Sequence, residues 1–481
     1  MPVAGACIDT RLDSVVDRIR AALGADACLE APDAVEPYLG DFRGLFRGAT
    51  RLVVLPRSTA EVAAVLAICN EAAVGVVPHG GNTSYCGGAT PDATGRQIVL
   101  ALARMNRVRE VDAANFSITV DAGCILADVQ RAAAEADRYF PLSLGSEGTC
   151  QIGGNLSTNA GGLAALRYGV ARELVLGLEV ALPDGRILDG LKSLRKDNTG
   201  YDLRHLFIGA EGTLGVITAA SLKLYPVPRT VSTAFVAVAG VAAAVDLLGR
   251  LREATGDAVT SFELLPRFGI ELVARHIPGC RDPFADPHDW YVLCELASAR
   301  EDPGLRALLE EALGAAMSDG EARDAVLAES VAQREALWRL RESVPEAQRR
   351  EGASIKHDVS VPVAQLPAFV TRATAAVLSV VPDGRMLVYG HVGDGNLHFN
   401  VSQPLDARSV DFLALGDVIA EAVYSQVRAF RGSISAEHGI GRLKRDELAR
   451  FKGTVDLDLM RALKQAIDPR GIMNPGKVLP H

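Results

Sequence analysis

The sequence lacks several common signatures. Its eight cysteines (Cys7, Cys28, Cys69, Cys86, Cys124, Cys150, Cys280 and Cys294) are scattered, with no C-x-x-C pair. A disulfide scaffold, a zinc ribbon and an iron–sulfur cluster therefore lose support, and a reducing, cytoplasmic setting is expected. Positive charge is not in excess: 50 Lys and Arg against 59 Asp and Glu give a net charge of −9, with no basic block. A nucleic-acid partner is not expected. The longest apolar run, near 234–245, is about half the roughly 20 residues a membrane helix requires, so no transmembrane segment is expected. The first twenty residues show no basic region followed by an apolar one, so no secretory leader is expected. No G-x-G-x-x-G opens a helix after a strand, and no G-x-x-x-x-G-K-[ST] occurs. A Rossmann turn and a P-loop are thereby excluded.

What is present is ordinary globular composition, 48% hydrophobic and 23% charged, with 46 glycines and no collagen-like period. The excess glycine must sit in loops. Residues 11–24 carry Leu12, Val15, Val16, Ile19 and Leu23 at helical spacing. Residues 51–78 read as β–α–β, with Ser58 and Glu61 forming a capping box at the start of a helix that runs to about residue 73. Strands are predicted at 98–102, 116–120, 176–182 and 215–224, with a helix at 125–136. After a linker at 225–228 the pattern becomes strand (235–238), helix (241–254), strand (290–296) and helix (302–316), an α+β unit. A helix over 331–344 should stop at Pro345, strands return at 355–361 and 386–400, and a helix at 456–467 leads into the tail.

Three glycine loops share one character: Pro78 to Ser84, Gly145 to Gly162, and Gly209 to Gly215. Glycine permits positive φ and close backbone approach, and successive N–H groups form a concave anion site. Three such loops rich in Ser, Thr and Asn suit a long ligand with several anionic and polar groups, such as a diphosphate dinucleotide. His79, inside the first loop, is a candidate ligand contact; His205, His276 and His288 read as structural.

Two tight motifs hold three further histidines. In Gly390-His391-Val392-Gly393-Asp394-Gly395-Asn396-Leu397-His398-Phe399-Asn400, the Asp394-Gly395 pair is a strong hairpin signal. With a two-residue loop, His391 would face His398 at a Cβ separation of roughly 4.5–5.5 Å, which suits two imidazoles on one cation. Asn400 would share the face of His398. In Ser435-Ala436-Glu437-His438-Gly439, Glu437 is a natural third ligand. Two His and one Glu leave zinc with open positions, the catalytic arrangement, and His438 would remain available as a base.

Taken in order, PHGGNTS, GSEGTCQIGGNLSTNAGG, GAEGTLGVIT, GHVGDGNLHFN, SAEHGIG and DPRGIMNPGK resemble the FAD-dependent D-2-hydroxyacid dehydrogenases of the vanillyl-alcohol oxidase superfamily. The resemblance runs from about residue 40 to the end. It is nearest the branch acting on D-2-hydroxyglutarate, with the D-lactate branch next. It implies an α+β fold: a two-subdomain FAD-binding domain, a cap domain with an antiparallel sheet and helices, and a C-terminal helical segment returning to the flavin. The expected bounds are a helical segment at 1–46, the FAD domain at 47–226, the cap with its metal site at 227–452, and the closing segment at 453–481. The resemblance implies cofactor contacts from Pro78, Gly80, Gly81, Asn82, Thr83, Ser84, Gly88, Gly145, Ser146, Thr149, Gly153, Gly154, Gly161, Gly162, Gly212, Gly215, Ile217 and Asn474. It implies Zn²⁺, or another divalent metal, on His391, His398 and Glu437.

Asn400 would lie near the substrate, His438 would act on it as base, and Arg341 and Lys356 would bind its far carboxylate. Pro345 stands where hydroxyglutarate enzymes often carry a small hydroxylic residue, and proline offers no side-chain donor. The histidine of the covalently flavinylated pattern is replaced by Asn82 after Gly80-Gly81, so FAD should be non-covalent. The implied reaction is oxidation of D-2-hydroxyglutarate, with D-malate, by hydride transfer from C2 to flavin N5. An electron-transfer flavoprotein or a quinone would take the electrons, which would bring the enzyme to a membrane surface only through that acceptor. A homodimer is expected. The alternatives are a D-lactate dehydrogenase, an FAD-dependent alkyl transferase without net oxidation, or a non-enzymatic flavin-binding protein.

Overall fold

The computed structural model describes residues 10–256 and 258–480, so Cys7 lies outside the described residues. The seven described cysteines are free thiols. The chain forms two compact units: 1–161, 170–225 and 437–481 make the first, and 162–169 with 226–436 make the second. The return to the first unit comes at residue 437 rather than at 453, and the N-terminal helix is part of that unit rather than a separate segment.

Two large sheets make up most of the strand structure in the first unit. In one, the strands run in the order Cys28–Leu29, Val53–Val54, Ile98–Ala101, Val76–His79, the last three parallel. Val53, Val54, Val76, Val77, Ile98, Val99 and Leu100 are fully buried, as a covered parallel sheet requires. The β–α–β reading of 51–78 is thus right in its elements, but Ile98–Ala101 inserts between the two strands. The helix Thr59–Ala72 starts as expected: the Ser58 side chain accepts from the Glu61 N–H at 3.2 Å. Glu61 reaches back one residue further, accepting from the Arg57 N–H at 2.7 Å. The helix Thr10–Leu23 buries Leu12, Val15, Val16 and Ile19 and packs against Thr59–Ala72, with Arg18 and Glu71 paired at 2.5 Å. The second sheet is antiparallel: Val108–Asp112, Ser117–Asp121, Val216–Lys223, Val175–Ala181, Ile187–Gly190. The closing segment adds to the first sheet, since the Val76 N–H donates to the Ile472 carbonyl and the Asn474 N–H to the Val76 carbonyl.

The second unit is one seven-stranded antiparallel sheet ordered Ala322–Leu327, Thr230–Val238, Trp290–Ser298, Val259–Pro266, Arg385–His391, Asn396–Ser402, Ser354–Ser360. The central strand Val259–Pro266 is buried at all eight positions. Without alternation its sequence carries no strand period, and it was not anticipated. The helices Arg267–His276, Val331–Glu342 and Val344–Glu351 cover one face of the sheet, around Phe235, Leu265, Tyr291, Trp338, Leu387 and Tyr389. Pro345 ends one helix, as expected, and occupies the first turn of the next, where its missing N–H costs nothing. The stretch Val363–Val380 is long and apolar enough to cross a membrane by composition. In the fold, the helix Leu366–Val380 buries Leu366, Phe369, Val370, Ala373 and Val377, a core-facing stripe at three-to-four spacing.

Candidate functional site

In the first unit the loop Pro78–Ser84 leaves the end of the strand Val76–His79. Gly81 is required by a close approach: a Cβ there would lie 2.2 Å from the Thr149 carbonyl oxygen, so the first two glycine loops touch backbone to backbone. Gly80 lies near Gln151 and Gly154, and Gly145 and Gly154 face open space. Gln151 Oε1, Asn155 Nδ2 and Asn474 Oδ1 are buried without a hydrogen-bond partner. Buried polar groups are almost always partnered, and leaving one unpaired costs about 1–3 kcal/mol. Open glycine backbone beside such atoms fits a polar cofactor. Gly153 is used for packing, since its Cβ would meet that of Ala122 at 2.8 Å. Ile217 lies in the sheet opposite Val180, and Gly215, just before that strand, has no room for a Cβ, which would lie 2.9 Å from Val180 Cγ1. Asn82 turns its amide onto the Gly40 carbonyl at 2.8 Å, and the Ser84 hydroxyl accepts from the Cys86 N–H at 3.4 Å. Ser146 and Thr149 close their own turn. Thr83 is half-buried. His79 is buried edge-on to Tyr38, and burial pushes its pKa down to about 4, so it is neutral near pH 7.

The third glycine loop holds Glu211, which the sequence did not single out. Its carboxylate accepts from the Ile440 and Gly441 N–H groups at 2.7 and 2.8 Å, and its carbonyl accepts from the Asn474 amide at 2.8 Å. That amide also reaches the Gly88 carbonyl at 2.9 Å. Burial pushes the Glu211 carboxyl up against the pull of those backbone donors. Glu211 thus ties together the Gly212 turn, the closing segment and the Glu437-His438 loop. Positive φ at Gly212, Gly439 and Gly441 makes this possible. Gly161 approaches Glu437: a Cβ would lie 3.1 Å from its Oε2. His438 Nε2 lies 3.7 Å from Glu437 Oε1, and the Tyr85 ring stands edge-on to His438 at 4.6 Å.

In the second unit the histidine hairpin differs from its expected form. Residues 392–395 make a four-residue connection: a 3₁₀ turn at Val392–Asp394, then Gly395 at φ 82. His398 therefore pairs with Tyr389 on one side and Asp358 on the other, while His391 pairs with Glu263. Gly395 packs against the Val361 carbonyl, where a Cβ would lie at 2.1 Å, so no side chain fits at the end of this turn. The two imidazoles are still neighbours, with ring centroids 5.7 Å apart. Asp358 is buried and accepts from the Asn396 amide at 2.9 Å.

Arg341 is buried rather than solvated. The helix Val331–Glu342 carries Arg334, Trp338 and Arg341 on one stripe, aimed at two paired strands. Arg334 and Trp338 donate to Glu295, and Arg341 Nε donates to Glu263 Oε2 at 2.6 Å. The other Glu263 oxygen meets His391 Nδ1 at 2.5 Å. Burial pushes the Glu263 carboxyl up, but Arg341 and His391 outweigh it and hold it well below the usual range. The Arg341 guanidinium also sits over the Tyr389 ring at 4.9 Å. Asn400 donates to Gln348 Oε1 at 3.0 Å, and Lys356, opposite Asn400 on the outermost strand, is exposed. Glu263 was missed in the sequence; its one signal was a lone carboxylate within an apolar run.

Residues 50–190 match a family model described as an FAD binding domain, and residues 227–478 match the FAD linked oxidases, C-terminal domain. The mitochondrial D-2-hydroxyglutarate dehydrogenase of Bos taurus is 41% identical over 455 residues, covering 93% of this chain and 80% of that protein. The D-2-hydroxyglutarate dehydrogenase of Xanthomonas citri pv. viticola is 37% identical over 447 residues, 93% of each chain. In fold, the structure of p-cresol methylhydroxylase with substrate bound superposes with a TM-score of 0.77 at 17% identity, over 98% of this chain and 97% of that one. With this fold, both matched domains and similarity over almost its whole length, the chain belongs to the FAD-dependent D-2-hydroxyacid dehydrogenases of the vanillyl-alcohol oxidase type.

Proposed function

We propose that this enzyme oxidises D-2-hydroxyglutarate, and also D-malate, to the 2-oxo acid. Relatives of that name at 37–41% identity support the substrate. The observation that carries it is Arg341, a cation buried beside the histidine pair, where a second carboxylate needs a partner. When bound, non-covalent FAD supplies a two-electron acceptor and a divalent metal a Lewis acid for an α-hydroxy carboxylate.

His391, His398 and Glu437 would hold the metal, an N,N,O donor set that suits zinc. The three glycine loops and Asn474 would hold the flavin. His438 takes the C2 hydroxyl proton as general base. Asn400 orients the near end of the substrate, and Arg341 with Lys356 its far carboxylate. We assign reoxidation to an electron-transfer flavoprotein or a quinone, and the enzyme to the cytoplasm as a homodimer.

The test is anaerobic bleaching of flavin absorbance by D-2-hydroxyglutarate, D-malate and D-lactate, each before and after chelation. Bleaching by the dicarboxylates, lost with chelator and restored by zinc, is expected. Bleaching by D-lactate alone would remove Arg341 and Lys356 from the substrate site.

A further inference from the structure

We propose that Glu263 is a positioning residue that sets a metal ligand and a substrate contact at the same time. The inference rests on the zinc reading above and deepens it. Glu263 lies on the central strand Val259–Pro266, almost completely buried. Its two oxygens are divided between two partners: Oε1 with His391 Nδ1 at 2.5 Å and Oε2 with Arg341 Nε at 2.6 Å. A carboxylate accepts only, so Nδ1 must carry the proton and Nε2 is left as the electron-pair donor. This is the carboxylate–histidine arrangement that orients a ligating imidazole and raises its basicity.

The same carboxylate fixes Arg341, which also rests on Tyr389, the cross-strand partner of His398. Glu263 therefore holds the proposed metal ligand and the proposed distal-carboxylate contact from one strand. A dicarboxylate would use both contacts, and a monocarboxylate only the first. A buried ion pair of this kind is poor evidence for stability alone, which makes a positional use the better account.

The experiment compares holoenzyme forms of wild type, Glu263→Gln and Glu263→Asp. Zinc affinity is read by chelator competition, and the KM values for D-2-hydroxyglutarate and D-lactate are taken in parallel. Glu263→Gln should weaken zinc about 10–100-fold. It should also raise the hydroxyglutarate KM about 10-fold relative to that for lactate, as Arg341 loses its anchor. Glu263→Asp, which keeps the charge but shortens the reach, should shift both in the same direction and by less. Wild-type zinc affinity together with an unchanged KM ratio in either folded variant would overturn the proposal.

If neither variant folds, ¹⁵N-histidine-labelled wild type decides it: His391 protonated at Nδ1 is expected, and protonation at Nε2 refutes it. Wild type that holds no zinc would sink the metal reading by itself. The tautomer and the KM ratio would still judge Glu263.

Discussion

Gly81 and Gly154 border the same cradle but should fail in opposite ways. At Gly154 an added Cβ meets no heavy atom within 4 Å, and the nearby Gln151 Oε1 and Asn155 Nδ2 lack protein partners. Gly154 also lies within the short helix Ile152–Ser157. Gly154→Ala should therefore leave the apoprotein as stable as wild type, or more stable by about 0.5–1 kcal/mol from helix propensity. If the flavin lies against that backbone, the methyl costs about 1–3 kcal/mol of binding, roughly 5–150-fold in Kd. At Gly81 the Cβ would sit 2.2 Å from the Thr149 carbonyl and 2.9 Å from the Cys150 Cα, far inside ordinary contact. The two loops must part by roughly 1 Å, at a cost of about 1–3 kcal/mol in the apoprotein itself. Urea unfolding of the apo forms and fluorescence titration with FAD separate the two. Wild-type FAD affinity in Gly154→Ala would remove that helix from the cofactor site. An undiminished apo stability in Gly81→Ala would refute the tight loop contact.

Two further outcomes are expected. His438→Ala should keep bound FAD and zinc yet reduce the flavin about 10²–10⁴-fold more slowly at neutral pH, measured by anaerobic stopped flow. Glu351, which accepts from His276, Arg275 and Arg385, is held down to about 2 by those partners against the opposing effect of burial. A depressed carboxyl contributes stability above its unfolded pKa of about 4.3, and that contribution is lost as pH falls toward 2. Glu351→Gln should thus cost on the order of 2 kcal/mol at pH 7, and its deficit should shrink below pH 4 in urea melts. A deficit that stays constant across that range would assign the loss to packing.

Local chemistry was legible in the residues themselves. Ser58 caps its helix because the signal spans three residues, and Leu12, Val15, Val16 and Ile19 face the core because their spacing matches a helical turn. Glycine loops announce close backbone approach, as at Gly81, and the ordered motifs carry the family because they persist over the whole chain. What the sequence could not decide is set by contacts between distant segments. The turn after His391 has four residues rather than two, with Gly395 tight against the Val361 carbonyl, so Tyr389 rather than His391 pairs with His398. Glu263 is invisible as a functional group until the sheet brings His391 to one of its oxygens and a helix brings Arg341 to the other, 128 and 78 residues away along the chain. Periodicity and capping are short-range and survive in one dimension. Strand order, register and the pairing of buried charges exist only once the sheet has formed.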